Sequence, residues 1–194
     1  MRRPHGVVVA SKNPDKVAEI EAVLAALEPP IIVIPGHEWA DVEETEDTLE
    51  GNALLKARAV AQATGHAAVA DDTGLEVAAL GGAPGVRTAR FAGEDATYDD
   101  NVRKMLAAME GIEDRAACFR TAIALVTPDG AEIVVEGRLE GSIAHERRGS
   151  GGFGYDPIFD VDGRTLSEIG GEAKNEISHR ARALRALAAA LSHG

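Results

Sequence analysis

Two adjacent carboxylates, Asp71-Asp72, close a run of small apolar residues at 67–70 and lead into Thr73-Gly74. On extended chain, neighbouring side chains point to opposite sides, so one acid can hold a metal ion or a water while the other is structural. A second acidic pair, Glu43-Glu44, lies upstream in the acidic segment 41–47. Magnesium suits such residues, because it takes one or two carboxylates, keeps several waters and shares phosphate oxygens. Candidate phosphate grips are present too. Ser11-Lys12-Asn13-Pro14-Asp15-Lys16 follows the apolar run 7–10, and Asn13 before Pro14 is a good start for a helix. The unpaired N–H groups of a helix start favour phosphate, and Lys12 and Lys16 add full charges. The segment lacks the glycines of a P-loop.

Residues 149–157 read GSGGFGYDP, in a chain with few aromatics. Glycine lets backbone approach a ligand closely. A Phe153 or Tyr155 ring can stack on a nucleobase, worth about 1–3 kcal/mol per base, and Asp156 can accept from ring N–H groups or sugar hydroxyls. Further along, Lys174 and Ser178-His179-Arg180 gather cations at the start of the last helix, where the helix dipole disfavours them unless a ligand offsets the cost. Each stretch has a plainer reading. The first is a capped helix with surface lysines, Asp72 is a cap, the glycine loop is a turn with its rings in the core, and the basic turn is solvated. Together they describe a nucleoside triphosphate site. Phosphatases that form a phospho-aspartate carry Asp-x-Asp-x-Thr after a strand; here the order is Asp71-Asp72-Thr73 and the second aspartate is out of place.

The elements that must position these residues read as an α/β chain. Residues 7–10 form a buried strand, followed by a helix that carries Val17, Ile20, Leu24 and Leu27 to about Glu28. A short strand at 31–34 follows. Thr48 caps a second helix with Leu49, Ala53, Ala57 and Val60 on one side, ended by Gly65. A strand at 67–70 ends at the Asp71-Asp72 doublet, where ligands of α/β sheets bind. Residues 81–93 read as a loop, and a third helix spans 98–109 with Val102, Met105, Leu106 and Met109 inward. Strand-like runs at 117–126 and 133–138 flank the turn Pro128-Asp129-Gly130 and favour antiparallel pairing, with a third strand at 141–145. A short strand at 158–159, a turn at Asp162-Gly163 and a last helix capped by Ser178, with Ile177, Ala181, Leu184, Leu187 and Leu191 at helical spacing, complete the chain. No internal repeat or long linker divides it.

The 194 residues suit one domain or two lobes sharing a sheet, and 45% hydrophobic content predicts a packed core. A net charge of −12 repels duplex nucleic acid on average. Apolar runs are too short to span a bilayer, and Cys118 is the only cysteine, so no internal disulfide is possible. The expectation is a soluble cytoplasmic protein with no nucleic-acid or membrane partner.

In order and spacing, SKNPDK, EET followed by NALLKA, ADDTGLEV, GGAPGVRTARFAG, GFGYDPIF and ISHRARAL resemble the inosine triphosphate pyrophosphatase (Ham1-like) family over nearly the whole chain. The resemblance implies a single ITPase-like domain over 1–194: an elongated mixed β-sheet flanked by helices, with two lobes and a central active-site cleft. It implies a homodimer that uses Mg2+ to hydrolyse ITP, dITP or XTP to the monophosphate and pyrophosphate. By position, Asp72 is the general base and a metal ligand, with Glu43 or Glu44 supporting the ion. Ser11, Lys12, Asn13, Pro14, Asp15, Lys16 and Lys56 match phosphate-binding positions, and Thr73 a substrate contact. Phe153, Gly154, Tyr155, Asp156, Lys174, His179 and Arg180 match the nucleoside side. A guanidinium or backbone N–H near His179-Arg180 would donate to the oxygen at purine position 6. The family often has Ser where Thr73 stands, and many members carry Glu where Gly51 stands. A phosphomonoesterase and a purine-nucleotide-binding regulator without turnover are the competing readings; the Asp72 and Glu43-Glu44 acids argue against the regulator.

Overall fold

Small and β-branched residues around Val7–Val9 and Ala68–Val69 let two strands pair with helices packed on both faces. In the computed structural model, which describes residues 2–192, β1 (Gly6–Val9) lies parallel to β2 (Ile32–Val33) and to β3 (Ala68–Val77). The remaining strands are β4 (Pro84–Gly85), β5 (Ala116–Val126), β6 (Glu132–Ile143), β7 (Phe159–Val161) and β8 (Arg164–Thr165). They form an eight-stranded sheet in the order β2-β1-β3-β5-β6-β7-β8, with β4 on β3. Because β3–β4, β6–β7 and β7–β8 are antiparallel, the sheet is mixed. The helices are α1 (Pro14–Ala25), α2 (Leu49–Thr64), α3 (Tyr98–Ala108), α4 (Leu166–Ile169), α5 (Gly171–Ile177) and α6 (His179–Ser192). No helix among the described residues is long and apolar enough to cross a membrane.

Local chemistry sets the boundaries. Asn13 accepts from the N–H groups of Asp15 and Lys16 and Pro14 takes the first helical position, so α1 starts where its sequence predicts. Thr48 caps α2, which ends on Gly65 in the left-handed conformation. Three expectations are corrected. The strand at 67–70 does not stop at the Asp71-Asp72 doublet: β3 continues to Val77, because Leu75 and Val77 are buried and Leu75 and Glu76 pair with β4. The strand expected at 141–145 is the end of the long β6. The expected loop at 81–93 contains β4 and a 3-10 turn at Thr88–Arg90.

The chain divides into two compact units, and β3, β5 and β6 contribute residues to both. Unit 1 comprises residues up to Asp72, Thr121–Gly137 and those from His179 onward. Its core joins Ile20 and Leu24 of α1 and Leu184 and Leu187 of α6 to Val7, Val9, Val69, Ile123 and Leu125. Each such side chain contributes about 1.5–3 kcal/mol by leaving water. At Gly137 a side chain is impossible without movement, because a Cβ would run into the backbone of His179 and Ala183 on α6. Unit 2 comprises Thr73–Arg120 and Arg138–Ser178. Its core includes Leu75, Val102, Met105, Met109, Ile143, Tyr155 and Leu166, with the Phe119 and Phe159 rings 4.5 Å apart.

Candidate active site

Strand register brings the first chemical groups of unit 1 together. Val8 is paired with Ala68 and Val9 with Val69 in parallel, so the loop after β1 begins at the level of the Asp71-Asp72 doublet inside β3. The period of two then sends the acids to opposite faces. Asp71 meets α1 and α6: Lys16 Nζ lies 3.1 Å from its Oδ2, and Arg180 donates to the same oxygen from Nε at 3.2 Å and Nη2 at 3.0 Å. Arg180 Nη1 donates to Glu19 of α1. Burial pushes the Asp71 carboxyl up, but the charges of Lys16, Arg180 and Lys56 outweigh it and hold the group well below the usual carboxylate range.

Asp72 meets α2 instead. Lys56 Nζ lies 3.3 Å from Asp72 Oδ1 and 2.7 Å from Glu44 Oε1. Burial pushes Lys56 down, and Asp72, Asp71 and Glu44 together reverse this and hold it charged. Burial, reinforced by the nearby Glu44 and Asp71, pushes the Asp72 carboxyl above its ordinary range despite Lys56. The other oxygen of Asp72, Oδ2, is buried and has no hydrogen-bond partner among the described residues.

Glu44 reaches Lys56 because its segment is anchored. The buried side chain of Asn52, on α2, accepts from the Glu46 N–H at 3.0 Å and donates to the Glu46 carbonyl at 3.1 Å, imitating a peptide pair. Glu43 is exposed. A cavity of about 350 Å³ is lined by Ser11, Lys12, Asn13, Lys16, Trp39, Asp41, Glu44 and Lys56. Ser11 Oγ accepts from the Asn13 N–H at 3.2 Å, Lys12 pairs with Asp41, and Pro14 and Asp15 are exposed on the first turn of α1. The arrangement gathers cations and helix-start N–H groups beside two carboxylates, which is what a polyphosphate with a divalent cation requires.

Unit 2 holds the glycine-rich loop. Asp156 is buried; its Oδ2 accepts from Lys174 Nζ at 2.5 Å and from the Phe153 N–H at 2.9 Å. Gly152 has φ +75° and a Cβ there would collide with that carboxylate, so the loop requires glycine at this point. Lys174 Nζ also sits 4.5 Å from the centre of the Phe153 ring. The two aromatics of the loop part company. Tyr155 is core: its hydroxyl donates to the Thr88 carbonyl at 2.9 Å, and burial pushes its pKa far above the usual value. Phe153 is only half-buried, and Gly154 beside it is half-buried too. Thr73, the first residue of unit 2, is half-buried in β3.

His179 and Arg180 stand at the start of α6. Both are buried in unit 1; His179 Nδ1 lies 2.6 Å from Thr121 Oγ1, and the Arg180 guanidinium is engaged by Asp71 and Glu19. Sequence reasoning missed Glu19, Trp39, Asp41 and Asn52. Glu19 was legible only as a polar position on the inner side of α1, and Asn52 as an amide inside an apolar helix face.

The fold and these clusters define an α/β protein with a lysine-lined cavity at a helix start beside carboxylates. The chain belongs to the Ham1 family, whose model matches residues 7–190. It is 50% identical over 187 residues to a dITP/XTP pyrophosphatase of Porphyromonas gingivalis, covering 93% of this chain and 94% of that protein. The structure of a HAM1 protein from Coxiella burnetii superposes with a TM-score of 0.85 at 44% identity, covering 97% of this chain and 99% of that one. The Ham1 protein of Staphylococcus aureus gives 0.82 at 39% identity, with 97% and 98% covered.

Proposed function

We propose that this protein hydrolyses the non-standard purine nucleotides ITP, dITP and XTP to the monophosphate and pyrophosphate, clearing them from the nucleotide pool. The observation that carries the reading is Lys56 set between Glu44 and Asp72, with Asp72 Oδ2 buried and unpartnered. Relatives 46–50% identical over nearly their whole length are named dITP/XTP pyrophosphatases, which supports the same substrates here.

The chain's own groups divide the work. Lys12, Lys16 and the N–H groups at the start of α1 take the phosphate oxygens. Asp72, made more basic by burial, removes a proton from the water whose oxygen bonds to the α-phosphorus. The bond from that phosphorus to the bridging oxygen breaks, and the pyrophosphate leaves with the electron pair, its charge met by the lysines. Arg180 and Lys16 keep Asp71 ionised and fixed, and so keep β3 in register with α1 and α6. The proposal assigns the purine to the Phe153 ring and the Asp156–Lys174 pair.

The residues fit a magnesium ion: among the described residues no three metal-ligating side chains cluster, but magnesium needs only one or two carboxylates beside phosphate, and Asp72 Oδ2 lacks a partner. Asp72 and Glu44 would hold the ion, which when bound would neutralise phosphate charge. The proposal extends to a homodimer working in the cytoplasm, as the family resemblance implies. The deciding experiment incubates dITP with the protein and magnesium and identifies the products. dIMP with pyrophosphate is expected; dIDP with free phosphate, or binding without turnover, would overturn the reading.

A further inference from the structure

The structure assigns to Arg148 the positioning of the glycine-rich loop for the nucleoside, an inference that rests on the proposed assignment of the purine to that loop. Arg148 stands immediately before the loop, and its main chain closes the loop's neck: its N–H donates to the Pro157 carbonyl at 2.9 Å. Its own carbonyl accepts from Thr165 Oγ1 at 2.8 Å. The side chain reaches the same frame. Nη2 donates to Asp160 on β7, Nη1 to the Gly163 carbonyl in the β7–β8 turn at 3.3 Å, and Nε lies 3.7 Å from Glu168 Oε2 on α4. One residue therefore ties both ends of the loop, through backbone, to the β7–β8 hairpin and α4, through charge.

The frame is itself rigid. Thr165 and Glu168 form a reciprocal capping box at the start of α4, with the Thr165 N–H donating to Glu168 Oε2 at 2.8 Å. The Glu168 oxygen that completes the cap is the one that faces Arg148, so cap and clamp share a group. Two further straps come from Ser167: its hydroxyl donates to the Gly151 carbonyl, and its N–H to the Asp156 carbonyl at 3.2 Å. A Cβ at Gly149 would lie 2.7 Å from the Ser167–Glu168 backbone, which shows how closely the loop is drawn onto α4. The loop that carries Phe153 and Asp156 is thus strapped to α4 and to the β7–β8 hairpin. Of these straps only Arg148 carries charge, and its two carboxylate partners anchor it from two elements. A glycine-rich segment is otherwise conformationally permissive, and ordering it at the moment of binding would cost affinity.

A positioning role of this kind acts on binding and leaves the proton transfer at Asp72 alone. Arg148→Ala is expected to raise KM for dITP about tenfold, the scale of a lost charge-assisted hydrogen bond, with kcat changed by less than about threefold. Arg148→Lys, which keeps the charge but loses the fork of donors, is expected to fall between wild type and Arg148→Ala. Inhibition by inorganic pyrophosphate, assigned to the lysine cavity of unit 1, is expected to be unchanged. Amide hydrogen exchange read without nucleotide is expected to speed up at 149–157 in Arg148→Ala, while the core strands β3 and β5 keep their protection. Asp160→Asn removes one anchor only and serves if Arg148→Ala does not fold; it is expected to show the same local loosening and a smaller rise in KM. Unchanged exchange at 149–157 in a folded variant would overturn the clamp. A loop that loosens while KM stays at the wild-type value would overturn its role toward the nucleoside. Loosened exchange in a protein that never hydrolyses dITP would leave the clamp standing and remove the proposed activity instead.

Discussion

Asp71 and Asp72 are neighbours in one strand and answer to different cations, Asp71 to Lys16 and Arg180 and Asp72 to Lys56. Asp72→Asn removes a base and a charge while keeping shape. Turnover of dITP is expected to fall at least ~10²-fold, the scale of general-base catalysis, with nucleotide binding largely kept. Asp71→Asn leaves the buried Arg180 and Lys16 short of a carboxylate, so its effect should appear in stability, by about 3–5 kcal/mol. Urea unfolding and steady-state kinetics on both variants separate the two roles; wild-type turnover in Asp72→Asn would remove that residue from the chemistry.

Lys56→Ala should weaken catalysis without changing base preference, because a phosphate grip does not read the base. The kcat/KM values for dITP and for ATP are expected to fall together, by at least about tenfold. A change in the dITP-to-ATP ratio with an intact dITP rate would place Lys56 on the purine instead.

Trp39 is the only tryptophan in the chain and lines the unit 1 cavity beside Lys12 and Asp41. Its emission is therefore a reporter of anion binding that needs no base. Titration with inorganic pyrophosphate is expected to change Trp39 fluorescence saturably, and Lys16→Ala to weaken that response. A flat titration at concentrations that inhibit turnover would place the phosphates elsewhere.

Gly137→Ala puts a methyl group against the backbone of His179 and Ala183, which cannot give way as a flexible side chain would. The expected cost is at least about 1–3 kcal/mol, read as a lower urea midpoint at unchanged slope. A neutral substitution would show that α6 shifts freely on β6.

Much of this was legible in the residues. Asn13-Pro14, Thr48 and Gly65 mark helix ends by local hydrogen bonding, so α1 and α2 lie where the sequence puts them. In the glycine loop, Phe153 remains half-exposed while Tyr155 is buried. What escaped depends on distant partners. The end of β3 is decided by pairing with β4, which no local pattern announces. The short helices α4 and α5 are too brief to show a period. The destination of Arg180 is set by Asp71, far away in sequence, and a buried arginine looks the same as a solvated one until its carboxylates are placed. Gly51 shows the same limit: a Cβ there would lie 2.7 Å from the Glu46 side chain, so in this chain a larger residue requires that side chain to shift.

The pairing of Val9 with Val69 has a consequence for which sequence changes the protein can survive. The carboxylate doublet is phased: its two members have their roles by odd or even position along β3. Deleting one residue from 67–70 would exchange them, presenting the base to Lys16 and Arg180 and the anchor to Lys56, although every residue type of the site would still be present. Removing two residues would restore the phase but move the doublet about 6.6 Å along the strand, away from the cations that hold it. The strand therefore fixes both the parity and the level of the doublet, and a lineage could drift here by substitution far more readily than by insertion or loss.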